Sequence, residues 1–196
     1  MDNAQDPPEV PVLLLGDEGV GKSTFLSRLA LSNRPLGPGQ QLPQLRDSDQ
    51  PFPFYIRFQR MQLRLEFYDN DFPENYTLLR PAVIVLCFAI SDPASLQSVQ
   101  TKWKYVVETH FNYNESIPVV LLGLKRDVRS REDYAGTVKP LKDGPNGRSF
   151  IYPQEGLQVA QEMRIDRFCE CSALTGEVRE LSRKKLAQLT TPIALS

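Results

Sequence analysis

Apolar runs alternate with amphipathic stretches along most of the chain. Continuous apolar runs, as at 10–15 and 82–90, are typical of strands that are buried on both faces of a parallel sheet. The predicted strands cover residues 10–15, 54–60, 62–68, 82–90, 119–122 and 168–171. Helical spacing predicts helices over residues 23–30, 95–109, 153–163 and 177–189. This alternation predicts the α/β fold class with a mainly parallel sheet, in which 82–90 is the central strand.

One pair of strands departs from the alternation with helices. Only Met61 separates the strand at 54–60 from the strand at 62–68. The second strand alternates apolar residues such as Leu63 and Leu65 with polar neighbours, as a strand with one face on the core does. The two strands are therefore predicted to form an antiparallel hairpin.

Domain organisation follows from the polar stretches. Residues 33–51 are rich in Pro, Gly, Gln and Asp and are predicted to form a long loop. The charged stretch at about 129–150 is predicted to be a surface insert. With no visible repeat or second domain, residues 10–190 are predicted to form a single domain. A flexible tail at 1–9 precedes it and a tail at 191–196 follows it.

Composition narrows the classes of function. A formal net charge of -1 over 196 residues gives no broad basis for binding nucleic acid or an acidic membrane. No apolar run approaches the ~20 residues of a membrane-spanning helix, and no C-terminal cysteine offers a lipid site, so membrane contact is not encoded in this sequence. The cysteines lie in apolar runs without metal-ligand spacing and are predicted to be reduced core residues of a cytoplasmic protein. They are Cys87, Cys169 and Cys171.

A glycine-rich segment follows the first predicted strand and opens the first predicted helix. Residues 16–23 match the pattern G-x-x-x-x-G-K-[ST] of P-loop NTPases. Backbone N–H groups of such a loop point at phosphates, and the helix dipole favours their negative charge. Lys22 would reach the β- and γ-phosphates, and the hydroxyl of Ser23 would hold Mg²⁺. The predicted phosphate-side contacts are Gly16, Glu18, Gly19, Val20, Gly21, Lys22, Ser23 and Thr24.

Two later segments predict recognition of guanine. The carboxylate of Asp127 could accept two hydrogen bonds from N1 and N2 of guanine, which adenine cannot supply together. Because an unpaired buried carboxylate is costly, this geometry favours guanine strongly. The aliphatic stem of Lys125 could cover one face of the base, and the backbone N–H of Ala173 could reach guanine O6. The predicted base contacts are Lys125, Asp127, Ser172, Ala173 and Leu174.

In this order and spacing, these motifs resemble the Ras-like small GTPases, and most closely their Rho branch. The resemblance extends over about 10–189 and rests on the phosphate loop, Tyr68-Asp69, Leu86-Cys87-Phe88, Ser91-Asp92-Pro93, Trp103, and segments 123–129 and 170–173. It implies a small G domain with a six-stranded sheet and helices on both faces, which binds GTP or GDP with Mg²⁺. It also implies Ser23 and Asp69 as the Mg²⁺ site, and effector and regulatory proteins that contact the switch loops.

The sequence departs from this family where hydrolysis is catalysed. Glu18 stands at the position of a glycine beside the γ-phosphate, where a carboxylate would crowd the attacking water, unless the side chain points to solvent. Phe72 replaces a glycine whose N–H contacts the γ-phosphate. Pro73 replaces the glutamine that orients the water, and proline offers neither a side-chain amide nor a backbone donor. No residue is therefore assigned a catalytic role.

Other departures concern nucleotide sensing and base contacts. Residues 33–52 contain no threonine that could bind Mg²⁺ and sense the γ-phosphate, although Ser48 could substitute. Arg34 replaces the aromatic residue that closes over guanine. Leu124 replaces an asparagine between the base loop and the phosphate loop, and Leu174 replaces a lysine over the base.

The sequence thus predicts an atypical, monomeric Rho-like GTPase that binds GTP or GDP with Mg²⁺, hydrolyses GTP slowly or not at all, and signals through protein partners. An interaction scaffold of the same fold, with weak or no nucleotide binding, is the alternative. A hydrolase that positions water with Glu74 or Glu18 is a third possibility. If nothing senses the γ-phosphate, the GDP-bound and GTP-bound structures should be nearly alike.

Overall fold

A computed structural model describes residues 6–31, 39–58, 61–69, 79–113, 116–129 and 150–176. Its strands are Glu9–Leu15 (β1), Phe52–Phe58 (β2), Met61–Asp69 (β3), Val83–Ala89 (β4), Val119–Leu124 (β5) and Arg167–Glu170 (β6). Its α-helices are Lys22–Ala30 (α1), Pro93–Ser98 (α2), Lys104–His110 (α3) and Pro153–Glu162 (α4). A π-helical turn, Val99–Trp103, joins α2 to α3, and 3₁₀ turns lie at Asp47–Asp49 and Arg126–Val128.

The strands form one six-stranded sheet in the order β2-β3-β1-β4-β5-β6. β1 pairs in parallel with β3 and β4, and β5 pairs in parallel with β4 and β6. β2 is antiparallel to β3, from the pair Phe52–Phe67 to the pair Phe58–Met61. Every residue of β4 is buried, as the uninterrupted apolar run predicts for a central strand. The predicted fold class, a mostly parallel α/β sheet with one hairpin, is confirmed.

Helices cover both faces of this sheet. Successive strand residues point to opposite faces, so β1 contributes to two cores. One core joins β1 to α1 and includes Val12, Leu14, Phe25 and Leu26. The other joins β1 to the helices of the opposite face and includes Leu13, Leu15, Trp103, Val107 and Val159. Within the described residues, no helix is both long enough and apolar enough to cross a membrane.

Several element boundaries differ from the predictions. β1 begins at Glu9, inside the predicted tail, because Glu9 pairs with Arg64 of β3 and accepts a 2.7 Å hydrogen bond from its guanidinium. Met61, predicted to connect the hairpin strands, is the first residue of β3. The predicted helix at 95–109 starts earlier, because the Asp92 carboxylate caps its first turn by accepting the N–H of Ala94 at 3.0 Å. Helical spacing did not indicate its π turn.

The predicted surface insert has buried ends. Arg129 is 6% exposed and donates two hydrogen bonds, of 2.7 and 2.5 Å, to the carboxylate of Glu170. Phe150 is 5% exposed and belongs to a core. Residues 129 and 150 are therefore buried, and the surface insert between them stays a prediction. The rest of the insert and the predicted helix at 177–189 lie outside the described residues.

Candidate functional site

Residues from four strands meet at one edge of the sheet. Because β1, β3, β5 and β6 run in the same direction, their C-terminal ends share this edge. Gly16 follows β1, Asp69 ends β3, Leu124 ends β5 and Cys171 follows β6. Open α/β sheets bind their ligands in the crevice at the carboxyl ends of the strands. The predicted site residues that the structure describes lie along this edge.

The phosphate loop is shaped by close backbone packing. A Cβ at Gly16 would lie 2.4 Å from the carbonyl oxygen of Cys87 in β4, so only glycine allows the loop to leave the sheet here. Gly21 precedes α1 with a φ of +111°, which favours glycine, and it has no side chain that could cap the helix. The N–H groups of the first turn of α1 therefore face the loop, in the arrangement that binds phosphate.

Lys22, Ser23 and Asp69 converge beneath this loop. The Lys22 side chain is 6% exposed, and its ammonium lies 2.7 Å from the carbonyl oxygen of Gly16 and 3.7 Å from Asp69 Oδ1. The hydroxyl of Ser23 donates to Asp69 Oδ2 at 3.2 Å. The structure thus brings together the two residues predicted to hold a metal.

The oxygen donors at this point fit Mg²⁺. A hydroxyl and a carboxylate are hard ligands, and Mg²⁺ is commonly held by one or two protein groups, with waters and phosphate oxygens completing its octahedron. In the described ranges, no cluster of three or more His, Cys, Asp or Glu side chains could hold a metal ion. Ser23 and Asp69 would therefore supply two of the oxygen ligands of such an ion.

A separate pocket lies where the base was predicted. It has a volume of about 120 Å³ and is lined by Gly21, Thr24, Leu124, Lys125, Asp127, Ala173 and Leu174. Two of these lining residues are leucines in place of polar residues of the family pattern. Leu174 is 69% exposed, so it forms the open rim.

Three contacts hold the polar residues of this pocket in place. Lys125 adopts a φ of +61°, rare for a residue with a Cβ, and its ammonium donates to the carbonyl oxygen of Gly19 at 2.7 Å. The hydroxyl of Ser172 donates to Asp127 Oδ1 at 2.5 Å. The backbone N–H of Arg126 donates to the carbonyl oxygen of Cys171 at 3.0 Å. The base loop is thus tied to the phosphate loop by Lys125, although the asparagine of the family pattern is Leu124.

The thiol behind the pocket is held neutral. Burial, with smaller contributions from the nearby Cys169, Asp127 and Glu170, raises the pKa of Cys171 to about 12. All three cysteines of the chain are buried thiols, as predicted. Cys171 is therefore a packing residue here rather than a nucleophile.

The residues that depart from the family pattern are only partly described. Glu18 is exposed at the tip of the phosphate loop. Ser48 donates its hydroxyl to Asp49 Oδ1 at 3.2 Å. The other substituted positions, Arg34, Phe72 and Pro73, and the candidate Glu74 lie outside the described residues.

Two contacts at the site were not predicted. The indole N–H of Trp103 donates to Asp17 Oδ1 at 2.9 Å and links the π turn to the phosphate loop. The side-chain amide of Gln50 forms two hydrogen bonds with the backbone of Asp69. Trp103 is the only tryptophan of the chain and has polar neighbours in a predicted helix, a pattern that could have indicated a specific contact for its indole. Gln50 lies in a polar loop with no local pattern, so the sequence carries no signal for its contact.

The sheet, with a phosphate loop between its first strand and first helix, defines a small G domain of the P-loop NTPase class. A model of the Ras family matches residues 55–190, more than half of the chain, and this chain belongs to the Ras family. The match begins after the phosphate loop, which is identified by its motif and geometry. The Rho-related protein racI of Dictyostelium discoideum is 28% identical over 176 residues, which are 86% of this chain and 80% of that protein. The predicted Ras-like, Rho-related character is confirmed.

Proposed function

We propose that this chain binds GDP or GTP together with Mg²⁺ and hydrolyses GTP slowly or not at all. The observation that carries the proposal is the convergence of Lys22, Ser23 and Asp69 beneath the phosphate loop, with Ser23 Oγ 3.2 Å from Asp69 Oδ2. Ras-family domains in general bind a guanine nucleotide and Mg²⁺. In this chain the side chains that would bind the phosphates and the Mg²⁺ lie in contact with one another.

Each part of the nucleotide has a partner in this arrangement. The backbone N–H groups of residues 19–24 would receive the phosphates, and Lys22 would exchange its backbone partners for phosphate oxygens. Asp127, fixed by Ser172, would accept N1–H and N2–H of guanine. Ala173 would offer its N–H to O6, between the stem of Lys125 and the rim residue Leu174. Mg²⁺, when bound, neutralises charge on the β- and γ-phosphates.

Slow hydrolysis follows from the residues at the water-positioning sites. Pro73 has no amide that could orient a water, and Phe72 replaces a glycine of the family pattern. Even small GTPases that keep the glutamine hydrolyse GTP at only roughly 10⁻⁴ s⁻¹ without a partner protein. The nucleotide state of this chain would then be set by exchange, abundance or partners rather than by turnover.

Partners and location follow from the family in the same way. Ras-family proteins generally interact with effectors and regulators. We propose that this chain acts as a cytoplasmic monomer and contacts such proteins through its switch segments. No role in nucleic-acid binding is proposed, because the net charge is -1.

The first experiment identifies the nucleotide carried by the freshly purified protein after denaturation and chromatography. GTP retained through incubation with Mg²⁺ is the expected result. GDP alone would require a single-turnover assay, and a GTP hydrolysis rate equal to that of ordinary small GTPases would overturn the proposal. The Lys22→Ala variant, purified in parallel, should carry much less nucleotide and so controls for adventitious material.

A second candidate function is an interaction scaffold with weak or no nucleotide binding. It is favoured by the apolar walls of the base pocket, where Leu124 and Leu174 cannot hydrogen-bond to a nucleotide. Calorimetry with GDP and with GTP separates the two functions. A site that carries no nucleotide and gives no heat with either would establish the scaffold.

A further inference from the structure

The side chain of Gln50 hydrogen-bonds to the backbone of Asp69, the residue whose carboxylate faces the candidate metal site. We call this pair of hydrogen bonds the clasp. The Nε2 group of Gln50 donates to the carbonyl oxygen of Asp69 at 3.0 Å, and the N–H of Asp69 donates to Gln50 Oε1 at 2.9 Å. Both hydrogen bonds are partly buried. The contact therefore satisfies both backbone polar groups of Asp69 with a single side chain.

This clasp continues the β2–β3 ladder beyond its last backbone pair. β2 begins at Phe52, which is paired with Phe67, and Asp69 is the final residue of β3. A primary amide carries donors and an acceptor in the same plane, as a peptide group does, and can stand opposite a strand residue in place of one. Gln50 thus holds the end of β3 where main-chain pairing has stopped.

The side chain of Asp69 itself lies in the candidate metal site. Asp69 places Oδ2 3.2 Å from Ser23 Oγ and Oδ1 3.7 Å from the ammonium of Lys22. Fixing the backbone of Asp69 limits where its carboxylate can lie. Ligand orientation by a neighbouring hydrogen bond commonly changes metal affinity by about 10–100-fold.

The loop that carries Gln50 is where the family pattern would place a threonine. Ser48, two residues before Gln50, donates to Asp49 rather than to Ser23 or Asp69. The hydroxyl of Ser48 is thus directed to its own loop, whereas Gln50 hydrogen-bonds to Asp69. The link made by Gln50 uses only groups of this chain and requires no γ-phosphate.

We infer that Gln50 is a positioning residue for Mg²⁺ binding, and that it anchors residues 46–50 to the end of β3 in both nucleotide states. This inference rests on the proposed function for the role of the metal. The clasp itself is independent of nucleotide. It gives a physical reason for GDP-bound and GTP-bound forms that resemble each other in this loop.

The clasp is tested by amide hydrogen exchange of Asp69, measured by NMR on the full chain with GDP and with a non-hydrolysable GTP analogue. We expect protection in both states, and exchange at least about tenfold faster in Gln50→Ala, as loss of a partly buried hydrogen bond implies. The amide of Val85 in the central strand should not change, which shows that the fold is intact. Equal exchange in the wild type and Gln50→Ala, or protection of Asp69 with the GTP analogue alone, would overturn the inference.

The effect on the metal is tested by the release of fluorescent GDP as free Mg²⁺ is lowered. Gln50→Ala should release GDP at a Mg²⁺ concentration about tenfold higher than the wild type. Ser48→Ala, altered in the same loop but outside the clasp, should behave as the wild type. Gln50→Glu keeps the acceptor oxygen and loses the N–H donor. Its Mg²⁺ concentration for GDP release should lie between those of the wild type and Gln50→Ala, or equal that of Gln50→Ala.

The outcomes separate this inference from the proposed function. An unchanged Mg²⁺ dependence in Gln50→Ala overturns the positioning role. If the wild type binds no GDP, the proposed function and the metal role fall together. The hydrogen-exchange comparison then still decides whether the clasp exists, because it can be made on the protein as purified.

Discussion

The two halves of the candidate site differ in how their residues are held. On the binding half, Lys125 and Asp127 are each fixed by a hydrogen bond to another segment, at 2.7 Å to Gly19 and 2.5 Å from Ser172. On the catalytic half, Glu18 is exposed at the tip of a loop, and proline stands where water would be oriented. The described residues of the binding half are thus held by hydrogen bonds between separate segments, whereas Glu18 of the catalytic half is exposed.

This difference shows why binding and hydrolysis can be separated in one fold. Nucleotide binding is shared among many contacts, so the loss of one, such as the hydrogen bond of the asparagine that Leu124 replaces, costs about 1–3 kcal/mol and leaves the rest. Hydrolysis depends on one water held in one place. Under the proposed function, a substitution such as Pro73 is therefore expected to affect the reaction far more than the affinity.

Removing the ammonium group of Lys22 should have the largest effect on the binding half. Lys22→Ala is expected to lower the affinity for GDP by about 100-fold, because charge-assisted hydrogen bonds to phosphate contribute about 1.5–3 kcal/mol each. Isothermal titration calorimetry measures the change. Lys104→Ala is the matched control, since Lys104 pairs at 3.8 Å with exposed Glu108 and lies outside the site. An unchanged affinity in Lys22→Ala would show that the phosphate loop does not bind the nucleotide.

Weakening the base contact should have the next largest effect. Asp127→Asn replaces one acceptor oxygen by a donor and is expected to lower GDP affinity by about 10–100-fold, since one base hydrogen bond is lost and a donor faces a donor. Competition with GDP, ADP and inosine diphosphate measures affinity and base preference together.

The control for this variant lies at the other end of the sheet. Asp166 Oδ2 accepts the N–H of Val119, the first residue of β5, at 2.8 Å. Asp166→Asn should reduce the melting temperature slightly and leave GDP affinity unchanged. Equal losses of GDP affinity in the Asp127 and Asp166 variants would mean that stability, and not base recognition, explains the effect.

The sequence was sufficient for the parts of the site that follow strands. The buried run at 10–15 ends at the edge of the sheet, so strand pattern and motif together placed the phosphate loop between the first strand and the first helix. Ser23 and Asp69 were paired by the family pattern, and the structure places them 3.2 Å apart. Motif and strand pattern therefore agree on where these two residues lie, while their role in holding a metal stays a prediction.

Contacts between segments without a motif could not be predicted. The π turn that carries Trp103 has the same hydrophobic spacing as an α-helix, and Gln50 reaches Asp69 only because β2 and β3 are in one register. The burial of Arg129 depends on Glu170, which lies far along the chain on an edge strand. These side-chain pairings depend on tertiary structure, which local spacing does not encode.

Loosening the phosphate loop from the π turn should have a smaller effect. Trp103→Phe removes the indole N–H that donates to Asp17 at 2.9 Å, and should lower the free energy of unfolding by about 1–2 kcal/mol and speed GDP release several-fold. Urea denaturation and a GDP release assay measure the two changes. Lys102→Ala keeps the indole hydrogen bond and removes a cation that is 62% exposed, so it should change both values less. Faster release in Lys102→Ala than in Trp103→Phe would contradict the role of the indole.

The smallest expected effect concerns the exposed carboxylate on the catalytic half. Glu18→Gly should raise the affinity for GTP relative to GDP by a few-fold, because a negative charge beside the γ-phosphate is removed, and the gain should shrink at high ionic strength as exposed charges are screened. Glu18→Gln removes the charge and keeps the size of the side chain, so it separates the effect of charge from the effect of bulk. Hydrolysis should stay slow in both variants, since Pro73 is unchanged. If the GTP-to-GDP affinity ratio is the same in all three proteins at low salt, the Glu18 side chain points to solvent, and slow hydrolysis has to be attributed to Phe72 and Pro73.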